Sequence, residues 1–165
     1  MNPKPLKRHP SVIPLSHDHH HGLVLAERLV RGRAANPKSD WPESAVEQGA
    51  RLVHFFATDL EPHFEAEEAH LFPLAARVLA DGEARTGALL RDHEAMRRMV
   101  REIESDPASV TRDRLRAFGE ILRAHIRSEE RDFFPRVQAE CAPDELEALA
   151  APLSDAATGA ACSRR

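Results

Sequence analysis

The stretch HFEAEEAHLFP, from His63 to Pro73, returns 62 residues later as HIRSEERDFFP, from His125 to Pro135. Both copies keep a His, a Glu-Glu doublet, a Phe and a Pro at the same spacing, while the residues between them change in size and charge. Amphipathicity alone would not hold those positions; shared ligand chemistry would. On a helix, residues four apart lie one above the other, so His63 with Glu67 and His125 with Glu129 each present an imidazole and a carboxylate on one face. Each pair is suited to gripping a metal ion.

Both motifs continue apolar stripes. Leu52, Phe56 and Leu60 lead into His63 and Glu67, and Leu115, Phe118 and Leu122 lead into His125 and Glu129. Two further stripes carry a single His. His19 is followed by Leu23, Ala26 and Val30, and His93 stands among Leu89, Met96, Val100 and Ile103. Asp18-His19 is thus answered by Asp92-His93, as the first eleven-residue motif is answered by the second. The chain reads as two similar helical hairpins facing each other.

The spacing predicts a first helix over about 16–33 with Ser16 as its N-cap, and a second after the polar loop 36–42. Pro62 should bend this second helix just before His63, and Pro73 should open a short new turn toward Leu79. A third helix is expected over 83–104, a fourth from 108–112 to near Pro135, and a short amphipathic piece over 144–153. The expected architecture is all-α, an antiparallel up-down four-helix bundle over 15–141. An extended N-terminal arm (1–14) precedes it, and a short helix with a flexible C-terminal tail (142–165) follows.

Composition agrees with that class. The 165 residues suit one domain, 30 % of them are charged, only seven are Gly, and strong helix formers dominate. The net charge is −4, with basic residues scattered among acidic ones, so nucleic acid is not an expected partner. No window approaches the roughly 20 apolar residues that span a bilayer, and the start lacks a secretory segment. A cytoplasmic protein without a membrane partner is expected. Two cysteines, Cys141 and Cys162, do not make a disulfide framework or a thiolate zinc site. Ten histidines are the composition's oddity.

Six polar side chains, His19, His63, Glu67, His93, His125 and Glu129, therefore occupy positions where Leu or Phe would ordinarily face the core. Burying each without a partner costs roughly 1 to 3 kcal/mol, and more for a carboxylate. Metal ions would compensate. Nitrogen and oxygen donors without thiolate suit iron or manganese, with zinc a weaker alternative. The paired pattern points to two ions, each with two imidazoles, and with Glu67 and Glu129 as bridges. Open coordination positions would then remain for oxygen, peroxide or nitric oxide. Asp18 and Asp92 are candidates for an outer ring. In the His-rich cluster 17–21, periodicity favours His19 over His20, while His70, seven residues after His63, is the best candidate for an extra ligand or a nearby acid/base, with Asp132 in the matching place. His9 and His54 read as surface residues.

The quoted motifs, with DHHHGL at 18–23 and DHEAM at 92–96, resemble the hemerythrin-like family over about 15–138. That resemblance implies a non-haem di-iron centre in a four-helix bundle, with an oxide or hydroxide bridge as an option. Its ligands would be His19, His63 with Glu67, His93, and His125 with Glu129. Oxygen-carrying members place a second His four residues after the third-helix ligand, where this chain has Arg97. One protein ligand fewer implies reaction with a small oxidant rather than reversible oxygen carriage. The alternative is an iron or oxygen sensor, or an iron reservoir, acting through a protein partner without turnover.

Overall fold

The computed structural model describes residues 7–155. Parts of the expected arm (1–6) and of the expected flexible tail (156–165) lie outside the described residues. Among those described, the chain is all-helical and no strand occurs. A short 3-10 turn, Pro10–Val12, leads into α1 (Ile13–Arg31). This helix starts before the expected cap: Val12 is the N-cap, and Pro14 sits in the first turn, where its missing N–H leaves no bond unmade. Ser16 lies inside the helix, and its hydroxyl donates instead to Glu130 Oε1 at 2.7 Å. Gly32 ends α1 with φ of 67°, a left-handed conformation that suits glycine.

The second helix, α2 (45–78), runs unbroken through both of its prolines. Ser44 caps it by accepting from Glu47 N–H. It contains two π-helical turns, Phe56–Leu60 and Glu67–Leu71, between the α-helical stretches Ala45–Phe55, Glu61–Ala66 and Phe72–Val78. Helix α3 (Gly82–Ser105) follows. Then α4 (112–140) joins Arg112–Ser128, a third π turn at Glu129–Phe133, and Phe134–Glu140. A short α5 (Pro143–Ala148) and a helical stretch over 150–155 complete the described chain.

Each π turn ends two residues before a proline: Pro62, Pro73 and Pro135. A proline inside an α-helix lacks an N–H and crowds the carbonyl four residues back, and opening the turn before it relieves both. The conserved-spacing prolines of the two motifs thus mark helix interiors. They neither end α4 nor begin a new element at Pro73, contrary to the expectation from sequence. One added residue in a turn also shifts everything beyond it out of α-helical phase.

Neighbouring helices are antiparallel. Along α1 and α4, His19 meets Glu130, Gly22 faces Ile126, and Gly119 lies under the Ala26 carbonyl, where an added Cβ would come to 2.8 Å. Along α2 and α3, Glu68 meets His93 and Glu61 meets Arg97. The apolar interior falls into two clusters. One gathers Leu15, Leu71, Phe72, Phe133, Phe134 and Val137 and is covered by Leu146, Leu149 and Leu153. The other gathers Leu25, Leu29, Leu52, Phe56, Met96, Phe118 and Leu122. Between them, the layer contributed by positions 19, 63, 67, 93, 125 and 129 is polar and buried.

Candidate metal centre

All six predicted ligands converge in that layer. His19, His63, Glu67 and Glu129 form one group of four potential ligands, and Glu67, His93, His125 and Glu129 form another, with the ligand atoms of each group within 4.8 Å of one another. The two groups share both glutamates. His19 Nε2 lies 3.1 Å from His63 Nε2, and His93 Nε2 lies 3.1 Å from His125 Nε2. His19 Nε2 is 3.1 Å from Glu129 Oε2, His63 Nε2 is 3.4 Å from Glu67 Oε1, His93 Nε2 is 3.5 Å from Glu67 Oε2, and His125 Nε2 is 3.3 Å from Glu129 Oε2. Four imidazoles thus aim the same nitrogen at two central carboxylates.

Both glutamates have zero exposure, and none of their four carboxylate oxygens has a hydrogen-bond partner. Buried carboxylate oxygens in that condition are expensive unless a cation satisfies them. Two cations, each with two imidazoles and oxygens from shared carboxylates, match this donor set, which contains no thiolate. The residues fit the group that the sequence pattern implies.

The opposite nitrogen of every imidazole meets a second carboxylate. His19 Nδ1–H donates to Glu130 Oε1 at 2.7 Å, and His93 Nδ1–H to Glu68 Oε1 at 2.7 Å. His63 Nδ1 reaches Asp18 Oδ2 at 3.2 Å, and His125 Nδ1 reaches Asp92 Oδ2 at 3.3 Å. Such bonds fix the ring and leave Nε2 as the metal-facing lone pair. Asp18 and Asp92, the outer-ring candidates, thus meet His63 and His125 across the bundle rather than the histidines beside them in sequence. Glu68 and Glu130 escaped the sequence reading, although the Glu-Glu doublet that contains them was in plain view. The π turn begins at the first Glu of each doublet. The first glutamate points into the centre and the second grips the imidazole of a facing helix.

Electrostatics follows the same geometry. Burial works against a charged His63, but the Glu67 and Asp18 carboxylates outweigh it and lift the imidazole to about 10 in the metal-free protein. Burial likewise opposes charge on His19 and His125, yet Glu129 with Glu130 raises the first, and Glu129 with Asp92 raises the second. Glu67 would be raised by burial and is instead held low by His63 and His93. Glu130, also opposed by burial, is held at about 2 by His19, Ser16 and Arg8.

Two sequence candidates fall outside the site. His70 and its counterpart Asp132 are exposed, because in each motif the Phe72 or Phe134 N–H bonds five residues back, to the carbonyl of Glu67 or Glu129. That π bond moves the inward position from residue 70 to Leu71 and from residue 132 to Phe133. Asp132 pairs with Arg85 instead. His20 is exposed too, so His19 is the ligand-side residue of its cluster, as periodicity indicated; Leu23 and Val30, assigned to its stripe, are only half-buried, and Gly22, Leu25 and Leu29 take the inner face. His70→Ala and His20→Ala proteins should bind metal with unchanged stoichiometry and spectrum. Loss of an ion in either would contradict this geometry.

Arg97, where oxygen carriers have a His, turns away from the buried His and Glu cluster. Its Nε donates to Glu61 at 2.9 and 3.0 Å, one terminal nitrogen donates to Glu68 Oε1 at 2.8 Å, and the guanidinium lies 5.7 Å from the Phe64 ring centre. It fastens the carboxylate that orients His93. Beside the other imidazole pair, Asp18, His19, Asp59, His63 and His125 meet Phe55, Leu60, Leu122 and Ile126 around a pocket with room for roughly one water molecule. On the His93 side Phe64 stacks on the imidazole at 3.7 Å, where the corresponding motif position is Ile126.

The hemerythrin HHE cation binding domain matches residues 12–137. The chain belongs to that family. A DNA nickase of Nostoc sp. (strain PCC 7120 / SAG 25.82 / UTEX 2576) is 30 % identical over 91 residues, which cover 54 % of this chain and 25 % of that protein. The chain thus spans about a quarter of the length of the curated relative it matches. No solved structure shows a significant match. The described residues of this hemerythrin HHE protein include no helix long and apolar enough to cross a membrane.

Proposed function

We propose that this hemerythrin HHE protein holds two iron ions between Glu67 and Glu129 and binds or reacts with a small oxidant: oxygen, peroxide or nitric oxide. The observation that carries the reading is the pair of fully buried glutamates whose oxygens lack hydrogen-bond partners, each facing imidazoles from two helices. Hard oxygen and nitrogen donors favour iron or manganese over softer metals. Iron held there would supply one-electron redox chemistry and open coordination positions.

The chain's own residues do the rest. Two imidazoles and the shared carboxylates would give each ion four protein side chains, and the whole set has one ligand fewer than the oxygen carriers' pattern, because Arg97, paired with Glu61 and Glu68, stands where they have a His. The outer carboxylates hold each imidazole in one tautomer. Phe64, Phe72 and Phe134 pack against the rings and keep bulk water away. The small pocket beside His19 and His63, with room for roughly one water molecule, supports a small rather than a bulky ligand.

The test is elemental analysis of protein reconstituted with ferrous iron under low oxygen, with absorption spectra before and after peroxide. Two irons per chain and a peroxide-responsive band are expected. Exclusive retention of zinc, or a spectrum indifferent to oxidants, would overturn the reading.

A further inference from the structure

The four outer carboxylates are not held alike. Glu68 is fastened from within the bundle by Arg97 of α3, whose guanidinium also grips Glu61. Glu130, its counterpart in the second motif, is fastened from outside it. Arg8 Nε donates to Glu130 Oε2 at 3.1 Å and a terminal nitrogen donates to the same oxygen at 2.7 Å, while that nitrogen also bonds the Glu130 carbonyl. The Arg8 guanidinium lies 5.8 Å from the Phe134 ring centre, and Phe134 in turn stacks on His19 at 5.3 Å. Arg97 over Phe64, stacked on His93, repeats the arrangement on the other side.

Arg8 belongs to residues 7–9, which precede the first helical turn and form no helix or strand. A hydrogen bond from Gln138 Nε2 to the Lys7 carbonyl, at 3.1 Å, and the burial of Ser11 and Val12 dock this segment on the bundle. One imidazole pair is therefore braced by a helix that cannot leave without unfolding the domain. The other is braced by a short leading segment.

We infer that Arg8 is a positioning residue for the metal ion of the His19–His63 half, and that retention of this ion depends on docking of the segment that carries it. The inference rests on the two-ion reading above. With Arg8 withdrawn, a half-buried carboxylate keeps only Ser16 and His19 as donors and turns toward water; His19 then loses the bond that sets its ring. The His93–His125 half keeps Arg97. Any event that lifts residues 7–9 off the bundle loosens one ion and leaves the other in place.

The test uses the whole protein loaded with ferrous iron, challenged anaerobically with an excess of a ferrous chelator and followed by absorbance. Loss of an outer partner typically weakens metal binding 10- to 100-fold, so Arg8→Ala should release one ion per chain about 10-fold faster or more, and the second at the wild-type rate. Arg97→Ala should accelerate the other ion instead. Arg8→Lys, which restores the charge, should release more slowly than Arg8→Ala, and metal-free Arg8→Ala should keep the helical content and the single cooperative unfolding transition of the wild type. Wild-type release of both ions from Arg8→Ala, equal acceleration of both, or acceleration of the same ion by Arg8→Ala and Arg97→Ala would each overturn the inference. A wild-type protein that holds fewer than two irons before chelator is added would overturn the two-ion reading itself and this inference with it, a failure visible without any variant.

Discussion

Glu67→Gln is expected to take the protein from two bound ions per chain to one or none. Glu67 offers one oxygen toward His63 and the other toward His93, so its charge serves both halves of the centre at once. Gln keeps the shape, removes the negative charge and replaces one oxygen by a donor that repels a cation. Losing an outer partner already costs 10- to 100-fold in affinity, and losing a shared ligand should cost more than that at both positions. Glu129→Gln should behave the same way, since Glu129 Oε2 faces His19 and His125. Glu68→Gln is the contrasting case: it faces a single imidazole, at His93 Nδ1, besides the Arg97 guanidinium, and its amide oxygen can still accept both bonds. It should keep two ions at reduced affinity. Elemental analysis and metal titration of the three variants separate the roles, and full stoichiometry with wild-type affinity in Glu67→Gln would refute the bridging assignment.

Loading the metal-free protein with ferrous iron near neutral pH should release protons. The His63 imidazole is lifted to about 10 without metal by Glu67 and Asp18 and so carries a proton at neutrality, and carboxylates raise His19 and His125 as well. A metal needs the Nε2 lone pair, and each displaced proton makes apparent affinity rise about tenfold per pH unit. A pH indicator in weak buffer measures the release; a titration that leaves the pH unmoved would contradict it. Folding stability of the metal-free form follows the same linkage. A group raised above its unfolded value of about 6.5 stabilises fully below that pH and loses its contribution as pH rises toward 10. Glu130, held at about 2, stabilises above its unfolded value of about 4.3 and loses its contribution as pH falls through 2. Metal-free protein should therefore melt progressively earlier as alkalinity increases, whereas loaded protein should be much less sensitive.

The six clustered residues were readable because each candidate ligand occupies an inward position on a stripe whose other members are mostly apolar, and the structure buries every one. What misled was phase. His70 sits seven residues from His63, but the π turn inserts a residue, so the inward place goes to Leu71. Proline spacing was the available clue, since all three prolines follow a π turn by the same interval. Ser16 had the look of a cap and proved to be a donor to Glu130, a contact 114 residues away that no local pattern reveals. Arg8 was equally hidden. Its role depends on where the leading segment runs across α4, which composition does not encode.

The Glu-Glu doublets cross between the hairpins. Glu67 and Glu68, from the first, take His93 by its two nitrogens, while Glu129 and Glu130, from the second, take His19 in the same way. Each hairpin holds one of its own imidazoles, His63 or His125, and completes the lone-helix imidazole of its neighbour, as in a handshake where neither palm can close alone. Assembly of the centre and docking of the halves become a single cooperative event. The short link at 79–81 then need only keep the two hairpins at high effective concentration, because the mutual grip supplies the register.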